Sequence, residues 1–129
     1  MIARIGSHAV VVPDGRVREV APVKDTAKYK SKEEGLHATY LLVEQEEGRI
    51  QKWAYEPISI RLPGGKTYKP DFVVLMADGR VQIHEVKGAW SRNKRDGITR
   101  FHVAAGITCW ASFHLFTKER HHWKESVVS

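Results

Sequence analysis

Between Tyr68 and Trp90 the chain reads YKPDFVVLMADGRVQIHEVKGAW, two apolar segments turned back on each other by Ala77-Asp78-Gly79. β-Branched and aromatic residues flanking an Asp-Gly pair are the strongest short-range signal for a hairpin. The length of that turn governs both strands, because side chains alternate between faces with a period of two. With a three-residue loop and Gly79 left-handed, Met76 pairs with Arg80, Leu75 with Val81, Val73 with Ile83, and Asp71 with Glu85. Opposed residues point to the same side of a sheet, and Lys87 lies two positions beyond Glu85. One face therefore carries Val73, Leu75, Val81 and Ile83 as core and ends in Asp71, Glu85 and Lys87. A two-residue turn would instead pair Asp71 with Val86 and send the carboxylates to opposite faces.

The segments around the hairpin can be read the same way. Residues 1–28 suggest a flexible arm or a small hairpin, with Val10-Val11-Val12 before Pro13-Asp14-Gly15 and then Val17 and Val20. Ser31 with Glu34 three residues on makes a capping box. A helix follows, with Leu36, Tyr40 and Val43 at helical spacing, and Gly48 ends it. A strand is expected from Ile50 to Leu62, bent at Pro57, and further strands over Thr67–Met76 and Arg80–Lys87. A second helix spans about Arg92 to Ala105, with Ile98, Phe101, Val103 and Ala105 as candidate core. Ala111–Phe116 is a fourth strand, and Lys118–Ser129 a tail. The order is α-β-β-β-α-β: an α/β fold with one mixed sheet flanked by helices.

At 129 residues the chain fits one domain, with residues 29–129 as its body. Cys109 has no partner for a disulfide, which suits a reducing compartment. No segment approaches the roughly 20 apolar residues of a membrane span, and the N-terminus lacks a signal-peptide core. A soluble, cytoplasmic protein is expected. Twenty-one basic against 15 acidic residues give a net charge of +6, which favours a polyanionic partner through counterion release.

Asp71, Glu85 and Lys87 at one sheet edge form a set suited to metal-assisted phosphodiester hydrolysis. Mg²⁺ prefers oxygen ligands and usually takes one or two carboxylates plus water and phosphate. Asp71, Glu85 and the Val86 carbonyl would supply the protein's share, with Mn²⁺ a possible substitute. Lys87 would orient or deprotonate water, or stabilise charge on phosphorus. Gly88 permits close approach of backbone or DNA. The bland alternative is a strand-start aspartate and a surface Glu–Lys ion pair.

Pro70-Asp71 followed by Glu85-Val86-Lys87 resembles the PD-(D/E)xK nuclease superfamily. Tyr68, Pro70-Asp71-Phe72 and His84 through Gly88 look like its phage-encoded members, the junction-resolving endonuclease I group and an uncharacterised phage and prophage family. The likeness covers roughly residues 29 to 116. It implies a restriction-endonuclease-like core with a four-stranded mixed sheet, and a further active-site glutamate from the preceding helix. Glu34 stands at that place, where its capping-box role competes; Glu33 lies about 100° away around the helix.

These readings lead to a Mg²⁺-dependent DNA endonuclease of phage or prophage origin, acting in the bacterial cytoplasm. Branched or junction DNA is the specific substrate expected, and a homodimer the form that would cut both strands. The alternatives are a non-catalytic basic DNA-binding or packaging accessory, and the cutting subunit of a larger recombination or transposition complex. Arg92, Lys94, Arg95 and Arg100 are candidate phosphate contacts. His84 alternates away from the carboxylates and is expected to be packed or hydrogen-bonded. His121-His122 lacks ligand spacing for zinc, Cys109 is expected in the core, and Trp90 and Trp110 are expected to be buried, with stacking on bases the alternative.

Overall fold

A computed structural model describes residues 8–11, 17–20, 29–88 and 94–128. Near the N-terminus β1 (His8–Val11) pairs antiparallel with β2 (Val17–Val20), the hairpin alternative for this segment. The body is a mixed α/β arrangement of one five-stranded sheet and two helices.

Helix α1 (Lys32–Glu46) starts where expected: Ser31 is extended, and its Oγ accepts a hydrogen bond from the Glu34 N–H at 3.1 Å. It stops at Gly48, whose φ of 84° only glycine adopts without strain. Beyond it lie β3 (Ile50–Tyr55), a small ribbon of β4 (Ile60–Arg61) with β5 (Thr67–Tyr68), and the hairpin β6 (Phe72–Met76) and β7 (Val81–Gly88). A 3₁₀ turn at Pro63–Gly65 joins the two strands of the ribbon. Helix α2 (Lys94–Ile107) carries the chain over to β8 (Ser112–Lys118), and β9 (Trp123–Val128) closes it.

The sheet order is β3-β6-β7-β8-β9, with β7 and β8 parallel and the other pairs antiparallel. It has five strands rather than four. The segment read as a tail supplies the fifth, because Trp123 to Val128 pair along almost the whole of β8. The two long strands expected over 50–62 and 67–76 are each divided. Their inner parts β3 and β6 lie in the sheet, and their outer parts pair separately as the ribbon.

The hairpin adopts the three-residue loop. Phe72 pairs with His84, Val73 with Ile83 and Leu75 with Val81. Met76 N–H donates to the Arg80 carbonyl at 2.8 Å, and Gly79 is left-handed at φ 90°. Strict alternation then builds a core on each face. Phe72, Val74, Val86 and Phe116 pack with Ala38 and Leu41 of α1, while Ile83 and Phe113 pack with Phe101 and Ala104 of α2.

Several expected core positions lie elsewhere. Helix α1 buries Glu34, His37, Ala38, Leu41 and Val43, leaving Leu36 and Tyr40 exposed. On α2 the buried residues are Phe101 and Ala104, and Val103 is exposed. Cys109 and Trp110 are also exposed rather than buried, since they sit in the link between α2 and β8. Among the described residues no helix is long and apolar enough to cross a membrane.

Candidate active site

The ladder between β6 and β7 ends at Phe72 and His84, just short of Asp71 and Glu85. Val86 N–H would lose its partner there, and Asp71 Oδ2 accepts it instead at 2.8 Å. Asp71's own carbonyl takes the Glu56 N–H at 2.9 Å, so the residue is fixed at both ends. Pairing thus continues through a side chain, and that holds a carboxylate at the end of the two central strands.

Glu85 is buried and held by two donors. Tyr68 O–H donates to Oε1 at 2.6 Å, and Lys87 Nζ lies 3.1 Å from Oε2. Glu34 arrives from the buried face of α1, and Tyr55 O–H donates to its Oε1 at 3.3 Å. The capping box is therefore half-used: Ser31 caps the Glu34 N–H, while the Glu34 side chain turns toward Tyr55 and Asp71. Glu33 goes elsewhere, its carboxylate standing over Gly88 in the space a Cβ would need.

These groups open onto a cavity of about 460 Å³, walled by α1, β7, the ribbon, α2 and Asp71 just ahead of β6. Glu34, Asp71, Glu85, Val86 and Lys87 line it together, with Lys30, Lys69 and Arg100 among the cations around them. Arg100 Nη1 donates to the Thr67 carbonyl at 3.1 Å, tying α2 to the ribbon that carries Tyr68. Of the other basic candidates, Arg95 is exposed and does not line the cavity. Arg92 and the side chain of Lys94 lie outside the described residues, as does Trp90.

The electrostatics are those of crowded carboxylates. Burial pushes Asp71 well above the usual carboxylate range, and the charges of Glu85 and Glu34 push the same way. Burial also raises Glu85, against the pull of Lys87 and the Tyr68 hydrogen bond. Tyr68 itself is driven far up by burial and by Glu85, so its hydroxyl stays a donor. Glu34, Asp71 and Glu85 thus crowd together in a partly dry site, with the Lys87 ammonium paired to Glu85. Among the described residues no three His, Cys, Asp or Glu side chains are already gathered as a metal cage. The donors present are the set Mg²⁺ uses when water and phosphate complete its shell: one or two carboxylates and a carbonyl.

His84 faces the other way, as alternation requires. Its Nδ1 lies 2.9 Å from His37 Nε2, and its Nε2 lies 2.8 Å from Gln82 Oε1. With the Gln82 oxygen turned to it, a His84 tautomer carrying its proton on Nε2 would satisfy both contacts, accepting the His37 N–H at Nδ1. Burial holds His37 down at about 3, and burial with its histidine neighbours lowers His84.

Sequence reasoning left Tyr68 and Tyr55 without site roles, because tyrosines in apolar strands read as core. The available signal was the carboxylates themselves, since buried acids require donors. No family model matches this chain, and no match was found among curated proteins or solved structures.

Proposed function

We propose that this chain is a metal-dependent DNA endonuclease hydrolysing phosphodiester bonds. The supporting observation is the meeting of Asp71, Glu85 and Lys87 on one sheet face, with Glu34 beside them, at the floor of an open cavity. Two of these carboxylates have raised proton affinity, a state that a divalent cation would relieve by replacing protons. Asp71, Glu85 and the Val86 carbonyl would hold Mg²⁺ or Mn²⁺, and Glu34 extends the donor set. When bound, the ion supplies charge neutralisation at phosphate and lowers the pKa of water.

The chain's own residues do the rest. Tyr68 holds Glu85 in one orientation, and the Val86 N–H does the same for Asp71. Lys87 keeps an ammonium at the cavity floor, where negative charge on phosphorus grows during displacement. Lys30, Lys69 and Arg100 offer contacts for flanking phosphates. A subunit with one site requires a second copy to cut both strands, so the reading includes a homodimer on branched DNA, of phage or prophage origin.

The test is a cleavage panel of linear duplex, single strand, flap and four-way junction with Mg²⁺ or Mn²⁺. Cutting that EDTA, Glu85→Ala and Lys87→Ala abolish is the expected result. Binding without cutting in either metal overturns the enzyme reading and leaves a DNA-binding module. Cutting that begins only when host or phage proteins are added makes this chain the nuclease subunit of a complex.

A further inference from the structure

Gly97 lies in the first turn of α2, where an alanine would favour the helix. Its backbone needs no positive φ, so conformation does not explain a glycine at this position. Space does. A Cβ built on Gly97 would lie 2.6 Å from Lys87 Nζ and 3.0 Å from Lys87 Cε, with Glu85 Oε2 at 3.7 Å. The ammonium of Lys87 occupies the place of the missing side chain. We infer that Gly97 is a positioning residue, whose bare α-carbon lets Lys87 dock between β7 and α2 against Glu85. The inference rests on the reading of Lys87 as part of a nuclease site.

The obstructing atoms belong to the end of a flexible side chain, so a methyl group at Gly97 displaces Lys87 and spares the backbone. Restoring ordinary contact from 2.6 Å moves the ammonium by about 1 Å, and misplacement on that scale costs on the order of 100-fold in rate. Gly106 supplies the control. It lies in the same helix, and a Cβ there meets nothing within 4 Å.

The experiment compares Gly97→Ala and Gly106→Ala in single-turnover cleavage with Mg²⁺, in DNA binding, and in thermal melting, each with and without Lys87→Ala. Gly97→Ala is expected to lower the cleavage rate about 100-fold with DNA affinity unchanged, while Gly106→Ala cuts normally. In melting, Gly97→Ala gains about 3 °C in the Lys87→Ala background from helix propensity alone, and that gain shrinks or reverses when Lys87 is present. Wild-type cleavage by Gly97→Ala, or identical melting effects in both backgrounds, overturns the inference. If the wild-type chain cuts no DNA, the nuclease reading fails, and the melting cycle alone decides whether Gly97 seats Lys87.

Discussion

Asp71→Asn should make the metal-free protein more stable while abolishing cleavage. The amide oxygen can still accept the Val86 N–H that Asp71 Oδ2 now takes at 2.8 Å, so the main structural bond survives. What disappears is a buried charge beside Glu85 and Glu34. Each tenfold bias toward the protonated form is worth about 1.4 kcal/mol, and roughly three such factors separate the unfolded value from neutral pH, giving on the order of 4 kcal/mol. For a chain of this size that is a rise in melting temperature on the order of 10 °C. The sign follows from the raised folded pKa. Stability from this group is fully present below the unfolded value of about 3.9 and is lost as pH rises through the folded value. The advantage of Asp71→Asn should therefore be near zero at pH 4 and grow steadily through pH 8. Mg²⁺ should raise the melting temperature of the wild type and leave Asp71→Asn nearly unmoved. Differential scanning fluorimetry across that range, with and without Mg²⁺, measures all of this. A variant that melts lower than wild type at pH 8, or whose gain is the same at pH 5 and pH 8, would show that burial beside Glu85 and Glu34 does not penalise the Asp71 charge.

Tyr68→Phe removes the 2.6 Å donor to Glu85 and should cost about 1.5–3 kcal/mol in denaturant unfolding, with cleavage then requiring more Mg²⁺; an unchanged Mg²⁺ titration would count against the orienting role. His37 is buried with its pKa pushed down to about 3. Its stabilising contribution is whole above the unfolded value of about 6.5 and is lost as pH falls toward the folded one. His37→Phe should accordingly flatten the fall in melting temperature between pH 7 and pH 4, read by calorimetry. Phe72→Ala empties a fully buried position among Tyr29, His37, Trp53 and Tyr55 and should cost about 3–5 kcal/mol in chemical denaturation.

The hairpin was legible because its signals are local and agree with one another. The left-handed glycine sets loop length, loop length sets register, and register sets which side chains share a face. Helix α1 was legible at its ends and misjudged around its circumference. Its buried stripe runs through Glu34 and His37, two polar residues that no hydrophobic pattern selects, so the apolar Leu36 and Tyr40 pointed to the wrong side. Both are kept inward by partners distant in sequence: Tyr55 and Asp71 for Glu34, His84 for His37. Strand β9 was missed for a related reason. Trp123 to Val128 lie at the edge of the sheet and are mostly exposed on both faces, so they carry no alternation to read.

The tip of the β6–β7 hairpin, Ala77 to Gly79, is exposed and remote from the carboxylates. Surface tips are ordinarily where a chain accepts extra residues. Here the tip works as a ruler. A substitution at Ala77 leaves the register alone, whereas one added residue that re-phases the pairing would turn Glu85 and Lys87 away from Asp71 and send Ile83 and Val86 to each other's core. Mutational drift at this turn can therefore change Ala77 while Gly79, left-handed at φ 90°, and the length of three stay fixed, a pattern opposite to that of most loops.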